Sequence, residues 1–195
     1  MQVFLIRHGE TTFNAAGVLR GQLDIALDEA GEAEAFALGE AFCEVPLSAI
    51  VASPLKRALG TARPIAEASG APLSTDERLT DRFYGELAGQ SLVMAEERFG
   101  SIDAAPFVEA FQLLEHRAHD SFRDAAELAV NKAGPVALVT HDAVLRALLG
   151  LLVPALGAVE VDLPTGSWSK VVADSPAGPW SAPRLGQLPA RGERP

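Results

Sequence analysis

Residues 2–11 read QVFLIRHGET, and this stretch decides the fold class of the chain. Val3 to Ile6 are apolar at every position, a pattern typical of a strand that is buried on both faces of its sheet. A second run of this kind, Val136 to Val139, also leads directly into polar residues, Thr140-His141-Asp142. We therefore predict two buried strands of one sheet, each followed closely at its carboxyl end by a histidine.

Helical and strand patterns alternate along the rest of the chain. Asp28 predicts the N-cap of a helix over residues 29–45, and Ser53 with Pro54 predicts the start of a helix that ends near Gly70 and Pro72. Further strands are predicted at 49–52 and 171–173, and further helices at 142–152 and, with an interruption near 100–106, at 91–133. This alternation predicts an α/β fold, a three-layer α/β/α sandwich with a mostly parallel central sheet.

A length of 195 residues fits one domain, and no internal repeat is visible. We expect the folded domain to comprise residues 1–174. From Ser175 onward the chain has five prolines, three glycines and little apolar periodicity. This composition predicts an irregular C-terminal tail over residues 175–195.

The formal net charge of −10, without any basic run, argues against nucleic acid as a partner. A small phosphorylated ligand is compatible with it, because a few local arginines outweigh a distant, screened field. Segment 143–153 is too short to cross a bilayer and contains Arg146, so no membrane association is expected. The single cysteine, Cys43, is expected to be a small buried apolar residue. It cannot form an internal disulfide, which suits a reducing compartment. With no signal-peptide pattern, the predicted location is the cytoplasm.

The chemistry is predicted at the carboxyl edge of the sheet, where open α/β sheets bind ligands. His8 and His141 emerge there together if their strands are parallel neighbours. Taken singly, each histidine fits a hydrogen-bonded residue at a strand end, and Arg57 fits a solvated helix arginine. Together with Arg7 they form a set suited to phosphate, because guanidinium groups match its charge and geometry. The same charges disfavour an imidazolium, which leaves a neutral ring able to attack phosphorus.

Five blocks of motifs in this order resemble the histidine phosphatase, or phosphoglycerate mutase-like, superfamily. The blocks span residues 2 to about 172. They are Arg7-His8-Gly9-Glu10-Thr11; Asn14, Gly17, Gly21, Asp24, Leu27 and Gly31; Ser53-Pro54-Leu55 with Arg57-Ala58 and Thr61-Ala62; Leu79, Asp81, Gly85 and Gly89; and Val139-Thr140-His141 with Leu145-Arg146-Ala147-Leu148.

The resemblance implies an enzyme that works through a phosphohistidine. His8 is implied to accept the phosphoryl group, while Arg7, Arg57 and His141 hold its oxygens. Asp81 is implied to protonate the leaving oxygen and then to activate water. The implied substrate contacts are Thr11, Asn14, Gly21 and Tyr84. The resemblance implies a small phosphorylated substrate and neither a metal nor another cofactor.

Three positions depart from the family pattern. The mutase-like branches usually have glutamate where this chain has Asp81, so the acid here is one methylene shorter. A small residue usually follows the second histidine, whereas this chain has Asp142, either as the N-cap of the next helix or as a charge at the pocket mouth. Val18 stands where the family usually has an arginine.

The choice within the superfamily is between a phosphatase and a mutase. Residues 81–87 and 163–166 resemble cofactor-dependent phosphoglycerate mutases. Residues 90–133, however, hold few cations, and a mutase needs a basic cap that excludes water from the phosphoenzyme. We therefore predict a phosphatase, with a mutase as the alternative and a non-catalytic phospholigand-binding protein as the second. His116 and His119 could form a metal pair or a solvated helix face, and we favour the solvated face. The oligomeric state is open, with a homodimer as one candidate.

Overall fold

The computed structural model describes residues 1–156, 161–190 and 195. Its strands are β1 (Gln2–Arg7), β2 (Ala49–Ala52), β3 (Leu73–Thr75), β4 (Val136–Thr140), β5 (Trp168–Val172) and β6 (Ser181–Gln187). Its helices are α1 (Thr12–Ala15), α2 (Glu29–Phe42), α3 (Lys56–Ser69), α4 (Leu92–Phe99), α5 (Phe111–Asn131) and α6 (Asp142–Leu152). Short 3-10 turns lie at Glu77–Leu79, Gly85–Leu87, Ile102–Ala104 and Pro154–Leu156.

One six-stranded sheet runs in the order β3-β2-β4-β1-β5-β6. The four strands from β3 to β1 are parallel to one another, and β5 runs antiparallel to both of its neighbours. In the β1–β4 register Arg7 lies opposite Thr140, so both strands end at the same edge of the sheet. The prediction of a mostly parallel central sheet is confirmed.

Helices cover both faces of the sheet. Val3 and Leu5 of β1 pack in a core with α5 and α6, while Phe4 and Ile6 pack in a second core with α2 and α3. This alternation follows from the two-residue period of a strand, and burial on both faces explains the uninterrupted apolar run. The three-layer sandwich is confirmed.

The predicted start of α3 is wrong. The helix begins at Lys56 rather than at Ser53-Pro54, and Ser53 makes no cap bond to it. Instead, the carboxylate of Asp24 accepts a hydrogen bond from the Lys56 backbone N–H at 2.8 Å. A residue 32 positions away in the chain thus takes the capping role, which frees the Ser53 hydroxyl for another contact. The helix ends where predicted, at Gly70 in the left-handed conformation.

The predicted irregular tail is wrong for residues 181–187. These residues form β6, which pairs antiparallel with β5 through an irregular register. The shifts remove the two-residue apolar period, and Pro183 is tolerated because the strand lies at the sheet edge. Trp180, just before β6, packs edge-on against Phe122 at 4.8 Å between ring centroids. Residues 191–194 of the predicted tail lie outside the described residues.

A small third core lies beside the main sandwich. It consists of Leu19, Leu87, Ala95 and Ala105, and the half-buried Tyr84 packs against it. This core joins the loop after α1 to the α4 region. An isolated bridge between Val18 and Ser91 links the same two segments.

Cys43 is exposed just beyond α2, so its predicted burial is wrong. In the part of the chain that the structure describes, no helix combines the length and apolar character that a membrane crossing requires.

Candidate active site

The two predicted histidines meet at the carboxyl edge of β1 and β4. The His8 backbone N–H donates to the Thr140 carbonyl at 2.9 Å, which extends the strand pairing by one residue. The ring centroids of His8 and His141 are 5.1 Å apart, and both side chains are fully buried. The two apolar runs predicted neighbouring buried strands, and the parallel pairing of β1 with β4 brings the two histidines together.

The hydrogen bonding of His8 decides which ring nitrogen can react. Nδ1 lies 2.6 Å from the Gly9 carbonyl oxygen, which can only accept, so Nδ1 carries the proton. Nε2 has no hydrogen-bond partner in the described residues. Burial, followed by the charge of Arg57 and then of Arg7, lowers the pKa of His8 well below its ordinary value of 6.5. The ring is neutral at physiological pH and has a free lone pair on Nε2.

The loop after β1 holds His8 through a close backbone approach. A Cβ atom on Gly9 would lie 2.5 Å from the Gly31 carbonyl oxygen, so only glycine fits between the loop and the start of α2. The Gly9 N–H donates to Thr61 Oγ1 on α3 at 2.9 Å. These contacts position the His8 ring from two helices at once.

His141 is oriented by Ser53, the residue predicted to cap α3. His141 Nε2 lies 2.8 Å from Ser53 Oγ. The Ser53 hydroxyl has no other acceptor among the described residues, so we assign it as the donor to Nε2. Nδ1 then carries a proton, and this buried atom has no hydrogen-bond partner in the described structure. Burial and the charge of Arg57 keep the pKa of His141 well below 6.5.

Arg57 lies fully buried in the first turn of α3. Its guanidinium donates to the carbonyls of Gly21 at 2.7 Å and Leu23 at 2.8 Å, and to Asp81 Oδ2 at 3.1 Å. Gly21 has a φ of +51°, and a Cβ there would meet the Tyr84 ring and the Arg82 carbonyl. Because glycine tolerates this conformation, the Gly21 carbonyl can point toward Arg57.

Among the described residues, Asp81 is the one buried carboxylate that contacts this arginine. Oδ1 accepts the Arg82 backbone N–H at 2.9 Å, and Oδ2 lies 4.0 Å from His141 Nδ1. Burial raises the pKa of Asp81, and the charge of Arg57 opposes that rise. The shorter acid thus comes close to His141. The nearest other carboxylates along the chain, Glu77 and Glu86, are exposed.

The loop that carries Asp81 is anchored by Arg117 of α5. The Arg117 guanidinium donates to the carbonyls of Arg78, Thr80 and Asp81 at 2.6–3.1 Å. It also forms a two-point ion pair with Glu109 at 2.7 and 2.9 Å. This anchoring compensates for a segment with little secondary structure of its own, and it fixes the direction of the Asp81 side chain.

Arg7 and Asp142 form the mouth of the site. The Arg7 guanidinium donates to the Leu163 carbonyl and lies 3.4 Å from Asp142 Oδ1. Asp142 Oδ2 accepts from Arg146 Nε at 2.9 Å. The N-cap of α6 is His141, and Asp142 is the first helical residue. Of the two roles predicted for Asp142, the N-cap is therefore wrong, and the charge at the pocket mouth agrees with the structure.

Five nitrogens at this site lack hydrogen-bond partners. Across the described residues, seven buried side-chain nitrogen or oxygen atoms have none. Five of these seven are Arg7 Nε, His8 Nε2, Arg20 Nε, Arg57 Nε and His141 Nδ1. Unpartnered buried donors are costly in a protein that binds nothing there. Four N–H donors around one free lone pair form a site for an anion that a nucleophile can attack.

The remaining residues singled out in the sequence make the following contacts in the structure. Thr11 is buried, caps α1 and donates to Asn14 Oδ1 at 2.7 Å. Tyr84 packs over Gly21, and burial raises the pKa of its hydroxyl, which stays protonated. His116 is exposed and pairs with Asp120 at 3.2 Å. No group of three or more metal-ligating side chains occurs in the part of the chain that the structure describes.

Sequence analysis missed three residues that contribute to the site. Arg20 lies close enough for its charge to lower the pKa of both histidines. Its signal was present, since it stands two residues after Val18 in the same motif block. Ser53 was assigned to the helix start, and nothing in the local sequence indicated the role of Arg117.

A family model for the histidine phosphatase superfamily, branch 1, matches residues 3–180. The chain belongs to this superfamily. A probable phosphoglycerate mutase GpmB of Klebsiella pneumoniae is 34% identical over 194 residues, with 93% of this chain and 88% of the relative covered. One from Erwinia tasmaniensis is 40% identical over 99 residues, 50% of this chain and 46% of the relative.

Two solved structures have the same fold as this member of the histidine phosphatase superfamily. A mycobacterial glucosyl-3-phosphoglycerate phosphatase has a TM-score of 0.84 at 24% identity, covering 95% of this chain and 98% of the other. A phosphoglycerate mutase from Bacillus anthracis has a TM-score of 0.86 at 21% identity, covering 96% and 93%. A phosphatase and a mutase are thus equally similar in fold, and fold alone does not separate the two activities.

The two buried neutral histidines make stability depend on pH. In the folded protein both pKa values lie well below 6.5, whereas in the unfolded chain each histidine takes up a proton near pH 6.5. The unfolded state therefore binds more protons below this pH, and the free energy of unfolding falls as the pH drops. As the pH falls from roughly 7.5 to 5.5, each histidine should lower the free energy of unfolding by about 1.4 kcal/mol.

Urea unfolding in buffers free of oxyanions measures this loss. His8→Asn should lose less stability than the wild type over this range, by about 1.4 kcal/mol. His116→Asn removes an exposed histidine and is the matched control. If the free energy of unfolding had the same pH dependence in His8→Asn as in the wild type, His8 would have the same pKa in the folded and unfolded states.

Proposed function

We propose that this protein is a phosphatase that hydrolyses a small phosphorylated metabolite through a phosphohistidine on His8. The observation that carries the proposal is the set of unpartnered buried nitrogens around His8 Nε2. The neutral ring supplies the nucleophile, and the donors of Arg7, Arg57 and His141 face the charge of a phosphoryl group.

In the first step, His8 Nε2 attacks phosphorus. The N–P bond forms as the ester O–P bond breaks, and the carboxylic acid of Asp81 gives its proton to the leaving oxygen. Burial raises the pKa of Asp81, which favours the protonated acid that this step requires. Arg7, Arg57 and His141 donate hydrogen bonds to the three non-bridging oxygens.

In the second step, water attacks the phosphohistidine. The Asp81 carboxylate takes a proton from the water as the new O–P bond forms and the N–P bond breaks. Inorganic phosphate leaves, and His8 returns to its neutral state with Nδ1 still bonded to the Gly9 carbonyl. One carboxyl group serves both steps, since the second is the chemical reverse of the first with water in place of the alcohol.

The segment of residues 90–133 supplies few cations to the site, and this favours a phosphatase over a mutase. Arg117 and Arg123 are engaged with neighbouring carboxylates, and Arg98 is an exposed residue over the Phe99 ring. A cavity bordered by Arg20, Tyr84 and Asp142 lies beside the site, and none of these three residues of segment 90–133, nor Lys132, lines it. A mutase is the second candidate, and the observation for it is the 34% identity to a probable phosphoglycerate mutase.

Turnover of 3-phosphoglycerate separates the two candidates. We expect the release of inorganic phosphate to exceed the formation of 2-phosphoglycerate, with or without a bisphosphoglycerate primer, because residues 90–133 hold few cations for a basic cap that would exclude water. Both products are measured in one reaction. Isomerisation that depends on the primer and outpaces phosphate release would identify a mutase. For a phosphatase or a mutase alike, a screen of phosphorylated metabolites would identify the natural substrate.

We also infer the cellular setting from composition. The net charge of −10 supports a small phosphorylated substrate rather than nucleic acid, and the single cysteine is compatible with the cytoplasm. A homodimer stays a prediction that light scattering of the purified protein can test.

A further inference from the structure

Glu34 of α2 forms a hydrogen-bonded bridge between two loops at the candidate active site. Its Oε2 accepts the Glu10 backbone N–H at 2.8 Å, and its Oε1 accepts the Thr165 hydroxyl at 2.9 Å. Glu10 lies in the nucleophile loop, which we define as residues 8–11 after β1. Thr165 lies in the β5 loop, which we define as residues 163–167 before β5. One side chain therefore joins two segments that are far apart in the chain.

The β5 loop supplies main-chain partners to both His8 and Arg7. The Gly166 N–H donates to the His8 carbonyl at 3.1 Å, and the Leu163 carbonyl accepts from the Arg7 guanidinium. The Arg7 backbone N–H donates to the Ser167 carbonyl at 2.9 Å. The position of the β5 loop therefore affects both the nucleophile and one of the arginines proposed to bind phosphate.

The half-buried Glu34 carboxylate serves as a two-point acceptor rather than as a counter-ion. Each oxygen accepts from an uncharged donor, and in the described residues no lysine or arginine forms an ion pair with it. The approach of the β5 loop to α2 is also tight, since a Cβ on Gly166 would lie 2.7 Å from Glu34 Cβ. The contact therefore depends on geometry more than on charge.

We propose that Glu34 is a positioning residue for the reaction at His8, because it holds the β5 loop against the nucleophile loop. This proposal rests on the proposed function, since it takes His8 as the phosphoryl acceptor. Without the bridge the β5 loop can move away from β1, and the His8 carbonyl and the Arg7 guanidinium then lose fixed partners. A shift of about 1 Å at a reacting group can slow catalysis about 10²-fold.

A matched pair of variants separates the bridge from the charge. Glu34→Gln and Glu34→Met both remove one negative charge and nearly conserve the length of the side chain. The glutamine amide can accept the Glu10 N–H and donate to Thr165 Oγ1, whereas methionine has only a weak sulfur acceptor. We expect single-turnover phosphorylation of His8 to slow about tenfold or more in Glu34→Met and to stay within about threefold of the wild type in Glu34→Gln. Equal slowing in both variants would assign the effect to charge and overturn the proposal.

Thr165→Val tests the other end of the bridge and does so in a protein that keeps Glu34. It removes one of the two contacts, so phosphorylation of His8 should slow by a smaller factor, about threefold. Added to Glu34→Met, it should have little further effect, because the bridge is already broken. Fully additive losses would show that the two residues act separately, which contradicts the proposal.

Two readouts separate misplacement of the reacting groups from loss of folded protein. In Glu34→Met, alkyl and nitrophenyl phosphates should slow by the same factor, since the proton transfer from Asp81 is untouched. The amplitude of phosphoenzyme per molecule should stay at the wild-type value. Glu32→Gln, an exposed carboxylate on the same helix, should behave as the wild type. A reduced amplitude at an unchanged rate would mean partial unfolding and would refute the positioning role.

Calorimetric binding of inorganic phosphate tests the bridge without any turnover. We expect Glu34→Met to bind phosphate about threefold or more weaker than Glu34→Gln, because only the latter keeps the loop that holds Arg7. Equal affinities would overturn the proposal. A wild type that forms no phosphoenzyme would instead refute the proposed function, and the comparison of phosphate affinities would still decide whether Glu34 positions the site.

Discussion

His8→Asn should abolish formation of the phosphoenzyme and lower kcat/KM by about 10⁴-fold or more, the scale seen when a nucleophile is removed from a preorganised site. Asparagine can keep a polar group near the Gly9 carbonyl but has no basic nitrogen to attack phosphorus. The surrounding donors would still bind phosphate, so KM should change much less than kcat.

Rapid quench with a labelled substrate measures the adduct directly. We expect an acid-labile, base-stable label on His8 in the wild type and none in His8→Asn. His116→Asn, a substitution on the exposed face of α5, should behave as the wild type. Stoichiometric label on His141, a serine or an aspartate would refute the mechanism. Full binding of phosphate with no turnover by the wild type would favour a non-catalytic binding protein.

Asp81→Asn should slow phosphorylation of His8 by alkyl phosphates about 10²-fold or more, the lower range for loss of general acid catalysis. The effect on nitrophenyl phosphate should be much smaller. An alkoxide leaves poorly without a proton, whereas nitrophenolate leaves readily. Asparagine removes the transferable proton with little change in size. Asparagine is also uncharged beside Arg57, as the protonated acid is, so binding of inorganic phosphate should not weaken.

Single-turnover formation of the phosphoenzyme is the required measurement, because the same residue later activates water and would slow both substrates in the steady state. Glu86→Gln is the matched control, since Glu86 is an exposed carboxylate on the same segment. Equal losses for the two substrates in Asp81→Asn would show that another group is the acid.

The fold class, the family and the residues that we propose for the site could all be predicted without a structure. The strands β1 and β4 are buried on both faces, so their uninterrupted apolar runs and their ends are visible without a structure. Parallel strands that end at one edge must bring the following residues together. His8 and His141 therefore could be placed side by side, with Arg57 and Asp81 located through the order of the motif blocks.

The orientation and the protonation of these groups depend on contacts between residues that are distant in the chain. Ser53 and His141 are 88 residues apart, Arg117 reaches a loop 36 to 39 residues earlier, and β6 forms only by pairing with β5. The pKa directions and the free nitrogen of each histidine depend on burial and on such distant partners. Local patterns report on neighbours within a few residues, whereas hydrogen bonds and desolvation depend on which side chains meet in space. For the same reason, the sequence alone could not indicate that Arg20 Nε is buried without a hydrogen-bond partner in the described residues.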